Sequence, residues 1–291
     1  MQPGGWLVKG AAAGPQPLAV ARCPAYRQSM ASDDLSAKRL FVRAPLVAGQ
    51  LIDLDQGKVN HVVNVLRMAA GDRVRVFNGS DGEWDARLVT AGRRRWQLAV
   101  DEQTRPQPAA SDIDYVFAPL KQARLDYVVE KAVEMGVGRL RPVLTRYGQV
   151  TRINRSRIEA NAIGAAEQCG ILTVPAIAEP KALAWLLAEW ADGEAGRRIV
   201  FCDEAATGGD PLAILTGLPK APLAALVGPE GGFADDERAF LLALPFVTAL
   251  PLGPRILRAD TAAVAVLALI QATLGDWSDG TPRIADRTAR R

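Results

Sequence analysis

The sequence predicts a mixed α/β protein in two parts: a small β barrel, then a larger domain built on a parallel sheet flanked by helices. Three observations predict it. At 291 residues the chain is long for one domain of ordinary size. Short period-two strands separated by turn clusters fill residues 39–100, whereas short apolar strands alternate with helical patterns from residue 113 onward. Charge divides at the same place, with 12 basic and 8 acidic side chains in residues 38–110 but 16 and 20 in residues 111–277.

Residues 1–37 are rich in Gly, Ala, Pro and Gln, show no apolar periodicity and read as a disordered extension. They hold no compact apolar stretch of the secretory kind, and Met30 is a second candidate start. The barrel is expected over 38–108. Residues 39–42 form a short apolar strand, 61–68 a short helix ending near Gly71, and 73–77 an alternating strand that runs into the turn cluster 78–82. Strands at 83–89 and 96–100 follow, split by 91–95, and Arg105-Pro106-Gln107-Pro108 is the linker. The second domain is expected over 109–277. Residues 113–118 are a buried strand and 124–135 a helix stopped by Gly136. The next strand begins at Val143-Leu144, and helices follow at 157–169 and 182–190. Apolar strands at 199–202, 224–227 and 248–252 each lead into a polar or Gly-rich loop. A helix with an acidic first turn spans 235–244. The Ala-rich helix 261–274 is apolar on nearly every face and is expected to be buried all round, and 278–291 is a polar tail.

Composition excludes several chemistries. One histidine (His61) and three cysteines (Cys23, Cys169, Cys202) cannot build a zinc cage or a disulfide framework. Any histidine-activated nucleophile would have to use His61, which reads instead as a structural or barrel-surface residue. Unpatterned cysteines fit a reducing cytoplasm. The longest apolar stretch, 262–270, is far short of the roughly 20 residues a membrane span needs. The basic barrel suggests contact with a polyanion.

In an open parallel sheet, ligands bind beyond the carboxyl ends of the strands. Three loops fall there: Cys202-Asp203-Glu204, Gly228-Pro229-Glu230-Gly231-Gly232-Phe233, and the segment from Gly253 to Thr261. Their glycines let a backbone approach a ligand closely. Neither GxGxxG nor GxxxxGK[ST] occurs. Taken alone, 228–232 also reads as a plain strand-to-helix turn with Glu230 solvated.

Leu226-Val227-Gly228-Pro229-Glu230-Gly231-Gly232-Phe233, followed by Leu252-Gly253-Pro254-Arg255-Ile256-Leu257-Arg258, closely resembles the RsmE family. These are SPOUT-class methyltransferases acting on N3 of a uridine in 16S ribosomal RNA of the small subunit. The resemblance spans about 39–277 and includes 61–67 with Gly71-Asp72, Pro119-Leu120-Lys121 with 131–137, and 165–170. Two departures stand out: Arg258-Ala259-Asp260-Thr261-Ala262 replaces the family's usual Arg-Thr-Glu-Thr-Ala, and Ile171 stands where many members are basic.

The resemblance implies a PUA-like barrel, a SPOUT domain with a trefoil knot, a homodimer, and S-adenosylmethionine bound without metal. Leu226, Val227, Gly228, Pro229, Glu230, Gly231, Gly232, Leu252, Gly253, Arg255, Ile256 and Leu257 would hold the cofactor. Arg258, Glu230 and Asp260 are the catalytic candidates, Arg258 for stabilising a uracil anion and the two acids for taking the N3 proton. Arg39, Arg67, Lys121 and Arg146 are candidate RNA contacts, with Arg73, Arg93, Arg94, Arg95 and Arg152 as further cations. The substrate is expected to be 16S rRNA within the 30S subunit or a late precursor. Trp185 and Trp190 read as core or interface packing. Three other readings remain open: a related knotted tRNA methyltransferase, a non-catalytic RNA-binding protein, and an α/β enzyme for a phosphorylated small molecule.

Overall fold

In the first third of the chain, alternation sets the sheet. β1 (Arg39–Phe41), β2 (Leu51–Asp53), β3 (Arg73–Phe77), β4 (Glu83–Thr90) and β5 (Trp96–Arg105) form one five-stranded sheet in the order β1-β3-β4-β5-β2. The computed structural model describes residues 37–277 except 93, 94, 151, 195 and 207. The extension expected at 1–37, all but its last residue, and the tail at 278–291 therefore lie outside it, as do Arg93 and Arg94. The β3–β4 turn is built by Asn78, whose Oδ1 accepts from the backbone N–H groups of Ser80 (2.9 Å) and Asp81 (2.8 Å). Every second residue points inward, so Leu40, Val74, Val76, Ala86, Leu88, Leu98 and Val100 form one buried cluster that Val62 and Met68 complete. The segment expected as one helix at 61–68 is instead α1 (Gln56–Val59) continuing into a wider π turn, Asn60–Val65, closed by Leu66 N–H on the His61 carbonyl at 2.8 Å.

The rest of the chain alternates strand and helix around a second sheet. Its strands are β6 (Ile113–Phe117), β7 (Arg139–Leu144), β8 (Ala176–Ile177), β10 (Arg198–Cys202), β11 (Leu223–Val227) and β12 (Val247–Leu250), in the order β12-β10-β11-β6-β7-β8. A short β9 (Lys181–Ala182) also pairs with β7, and all these pairings are parallel. The helices are α2 (Gln122–Glu134), α3 (Arg155–Cys169), α4 (Leu183–Gly193), α5 (Pro211–Thr216), α6 (Asp235–Ala243) and α7 (Ala259–Thr273). Period-two alternation splits the core: Leu223, Ala225 and Val227 of β11 join the layer that holds buried residues of α2, α3 and α7, whereas Ala224 and Leu226 join the layer of α4 and α6.

One expectation is corrected here. Strand β7 ends at Val143-Leu144 rather than beginning there. Its polar start is held in the sheet by ion pairs: the half-buried Arg139 and the buried Arg141 both bond Asp114 (2.9 and 3.1 Å) and Glu194 (2.9 and 2.6 Å). Pro142 falls between the stretch facing β8 and the stretch facing β9, where its missing N–H costs no ladder bond on that side. Helix α7 is buried by this chain on one side, while Val264, Ala265, Ala268, Leu269 and Ala272 lie partly or fully exposed along the other, the side for which the sequence reading expects cover by a second copy. Trp190 is core, 2 % exposed beneath the Arg141 guanidinium, while Trp185 is 70 % exposed.

The two sheets meet at a buried ion cluster. Glu83, fully buried, accepts from Arg39 Nε at 2.9 Å, from Arg105 Nη2 at 2.7 Å and from Thr104 Oγ1 at 3.0 Å. Arg105 also donates to the carbonyl of Gly170, the left-handed residue (φ 66°) that ends α3. Beside it, Glu167 of α3 accepts the Phe41 backbone N–H at 2.8 Å. Burial raises the Glu83 pKa, yet the guanidinium groups of Arg105 and Arg39 outweigh that and hold it below the ordinary value. Arg39 is thus a joint residue, and its expected role as a surface RNA contact is set aside: its side chain is 4 % exposed and held by a carboxylate.

Candidate active site

The loops that leave β10, β11 and β12 converge at one end of the sheet and enclose a cavity of about 920 Å³. The floor is fixed by Asp203, whose buried carboxylate accepts from Arg238 of α6 through two parallel bonds, 2.9 Å at Nε and 2.7 Å at Nη2. This ties the first loop to α6. The second loop needs its glycines. A Cβ on Gly228 would stand 2.5 Å from the Phe233 ring, which itself packs edge-on against Phe201. Gly232 adopts φ 70° and packs under Glu204. Glu237 then takes the Ala234 N–H at 3.1 Å and starts α6.

The third loop carries the apolar and cationic groups. Ile256 is 89 % exposed, an apolar side chain held at the cavity wall with nothing over it. Arg255 and Arg258 are exposed on the same wall, and neither pairs with a carboxylate among the described residues. Cys202 also lines the cavity, but burial pushes its thiol up to about 12, which removes it as a nucleophile.

Of the residues singled out in the sequence, Val227, Gly228, Pro229, Glu230, Gly232, Leu252, Gly253, Arg255, Ile256, Leu257 and Arg258 line the cavity. Leu226, Gly231 and Asp260 do not. Alternation turns Leu226 to the opposite face of β11, and Gly231 abuts Tyr147, whose Cβ would lie 3.2 Å from an added methyl. Asp260 sits in the first turn of α7, where its Oδ1 accepts the Thr261 N–H at 2.9 Å.

One residue that the sequence does not flag ties these acids together. Arg124, near the start of α2, reaches Glu230 at 3.3 Å through Nη1 and Asp260 at 3.8 Å through Nε. It lines the cavity, yet it stands 106 residues from Glu230 in the chain and belongs to no motif. Arg238, Ala205, Ala206, Gly208 and Gly209 were equally silent.

The candidate RNA contacts are scattered. Lys121 is exposed just before α2. Arg146 is exposed but bonds Asp236 at 2.6 Å. Arg67 is exposed with φ 54°, the sole positive φ outside glycine among the described residues. Arg73 and Arg95 are held by Asp85 and Asp53. Among the described residues, no group of three or more His, Cys, Asp or Glu side chains is placed to hold a metal ion, and no helix is long and apolar enough to cross a membrane.

Comparison with known proteins agrees with this arrangement. A family model described as RNA methyltransferase domain matches residues 107–271, and one described as RNA methyltransferase PUA domain matches residues 54–100. Ribosomal RNA small subunit methyltransferase E of Rickettsia conorii is 28% identical over 234 residues, covering 80% of this chain and 94% of its own. The protein of the same name from Bacillus subtilis is 29% identical over 224 residues, covering 73% and 86%. The crystal structure of Ribosomal RNA small subunit methyltransferase E from Neisseria gonorrhoeae, bound to S-adenosyl methionine, superposes with a TM-score of 0.69 at 26% identity, covering 81% of this chain and 97% of that one. A curled sheet joined to a parallel-sheet domain, a cavity formed by its three strand-end loops, and matches to both domains agree: the chain belongs to the RsmE family of RNA methyltransferases.

Proposed function

We propose that this protein transfers a methyl group from S-adenosylmethionine to N3 of one uridine of 16S ribosomal RNA, within the 30S subunit or a late precursor. The observation that carries the reading is the cavity at the ends of β10, β11 and β12. Its walls combine glycine and proline backbone and apolar side chains with charged groups, among which Arg255 and Arg258 have no carboxylate partner among the described residues. Such walls suit a flat heterocycle and a charged amino-acid tail, and the Neisseria relative is bound to that cofactor.

The bound cofactor supplies an electrophilic methyl carbon on a sulfonium. The residues do the rest. Backbone groups of 227–230 and 252–257 hold and orient the donor, and in-line alignment of this kind is worth roughly 7–11 kcal/mol of barrier. Arg258 stabilises charge developing on the uracil, and Glu230 or Asp260 accepts the N3 proton. The target base must leave its stack to present N3. The barrel, 38–108, acts as the RNA-binding module, with Arg67 the best-placed of its cations, and Lys121 extends that contact onto the methyltransferase domain, 109–277. Lys38 is committed to the Leu66 carbonyl. The half-exposed side of α7 fits cover by a second copy in a two-fold dimer. The reading includes a trefoil knot in the methyltransferase domain, which membership of the family favours. A ribosomal substrate favours a cytoplasmic location for the protein.

Calorimetry with S-adenosylmethionine tests the cavity assignment. Gly253 has φ 92° on the cavity wall, with no atom within 4 Å of an added Cβ. Gly253→Val adds strain of about 1–3 kcal/mol to the cofactor loop and fills its edge. Affinity should fall at least tenfold, about 1.4 kcal/mol. Undiminished affinity in the folded variant places the cofactor elsewhere.

A further inference from the structure

A second cavity, about 360 Å³, opens beside the first and is lined by Lys121, Ala123, Arg124, Gln149 and Glu230. Among the described residues, Arg124 and Glu230 alone line both cavities. Transfer requires the methyl carbon and the attacking atom to be about 3–3.5 Å apart and in line, so donor and acceptor must meet at a shared wall. The wall that these two cavities share is an arginine and a glutamate.

We propose that the second cavity receives the target uracil and that Arg124 and Glu230 read its Watson–Crick edge; this rests on the larger cavity being the methyl-donor site. That edge presents an acceptor, a donor and an acceptor in sequence: one ring carbonyl, N3–H, the other carbonyl. The cavity offers the complement. The Glu230 carboxylate accepts from N3–H, the Arg124 guanidinium donates to one carbonyl, and the Lys121 ammonium and Gln149 carboxamide supply donors for the other. Cytosine has no proton on N3, so its lone pair would face the carboxylate, and the same groups that bind uracil reject it.

Arg124 is suited to exchange partners. Its contacts to Glu230 and Asp260, 3.3 and 3.8 Å, are long, and its side chain is 37 % exposed. A base entering the cavity replaces weak ion-pair contacts with hydrogen bonds that strengthen as the ring becomes anionic. In the reaction the N3 proton passes to Glu230 and the N3 electron pair forms the new bond to carbon. The carbon–sulfur bond breaks with its electrons staying on sulfur, and Glu230 returns the proton to solvent. Arg124 is accordingly a catalytic residue that touches the substrate carbonyl. Tyr147, half-exposed on the same loop as Gln149, stands beside Gly231 at the edge of this site.

The test uses the full chain and small ribosomal subunits from a strain lacking the methyl group, with cofactor affinity measured separately by calorimetry. Lys121→Ala and Gln149→Ala should raise KM for the subunit at least tenfold and leave kcat within threefold. Arg124→Ala should lower kcat at least 100-fold, and Arg124→Lys should recover part of it because a donor is restored. Glu230→Gln should convert the pH–rate profile to one that climbs with pH, since hydroxide must then remove the proton. Cofactor affinity should stay within threefold in all five. Subunits carrying cytidine at the target should bind wild-type protein at least tenfold more weakly. Unchanged KM and kcat in the Lys121, Gln149 and Arg124 variants overturn the proposal while leaving the donor site intact. A tenfold loss of cofactor affinity in Arg124→Ala with RNA parameters unchanged also overturns it, by moving Arg124 to the donor side. Failure of the wild-type protein to bind S-adenosylmethionine overturns instead the reading on which the proposal rests.

Discussion

Arg258→Ala is expected to lower turnover at saturating RNA by about 10²–10³-fold, the usual cost of removing one preorganised donor aimed at developing charge. Arg258 is exposed at the cavity wall, caps the start of α7 without a side-chain bond, and has no carboxylate partner among the described residues. Nothing in the fold depends on its guanidinium, so stability should change little. Its charge is free for the uracil, which passes from neutral to anionic along the reaction. RNA affinity should fall only modestly, because the neutral ground-state base gains less from a cation than the transition state does. Single-turnover rates at several subunit concentrations separate the two effects. If the variant shows only a raised KM, Arg258 is a phosphate contact and not a participant in the chemistry.

Glu83→Gln is expected to destabilise the protein by about 3–5 kcal/mol, the range for breaking a buried ion pair by removing one partner. Arg39 and Arg105 both lose the carboxylate they face, and Arg105 simultaneously positions the Gly170 carbonyl at the end of α3. The effect therefore spans both sheets, and urea unfolding should show the joint giving way at lower denaturant. The pH dependence has a definite sign. The Glu83 pKa is held down in the folded state by its guanidinium partners, against the push of burial. Its contribution is therefore present above the ordinary glutamate value of about 4.3, and it is lost as pH falls through the lower folded value. Wild-type stability should decline through that acid window, and Glu83→Gln should flatten the decline. An equal acid slope in both proteins removes Glu83 as its source.

The cavity was legible in the sequence because Gly and Pro clusters after short apolar strands mark the ends of a parallel sheet, and ligand loops lie there. All three loops, and eleven of the singled-out residues that line the cavity, follow from that rule together with the paired motifs. What stayed hidden has one physical cause in several places: a charge reads as surface unless its partner is known. Arg39 meets Glu83 44 residues away, Arg139 meets Asp114 25 residues away, and Arg124 meets Glu230 106 residues away. Those contacts exist only once the chain has folded, so a buried joint read as an RNA contact, and the polar start of β7 as a loop. Other misses were of scale. The three-residue β2 is too short for a period, and in α5 the brevity of the six-residue run outweighs the start signal of Asp210 with Pro211. Nothing in residues 56–68 announces a widened turn, because a π turn shifts the helical spacing by only one residue.

The central claim is the target atom, and mass mapping tests it directly. Small ribosomal subunits from a strain lacking this gene should be incubated with the purified protein and isotope-labelled S-adenosylmethionine. Nuclease fragments should then be sequenced by tandem mass spectrometry. The account predicts one labelled methyl per subunit, carried on N3 of a single uridine of 16S rRNA. A label on a ribose 2′-oxygen, on another base or on tRNA alone would contradict it.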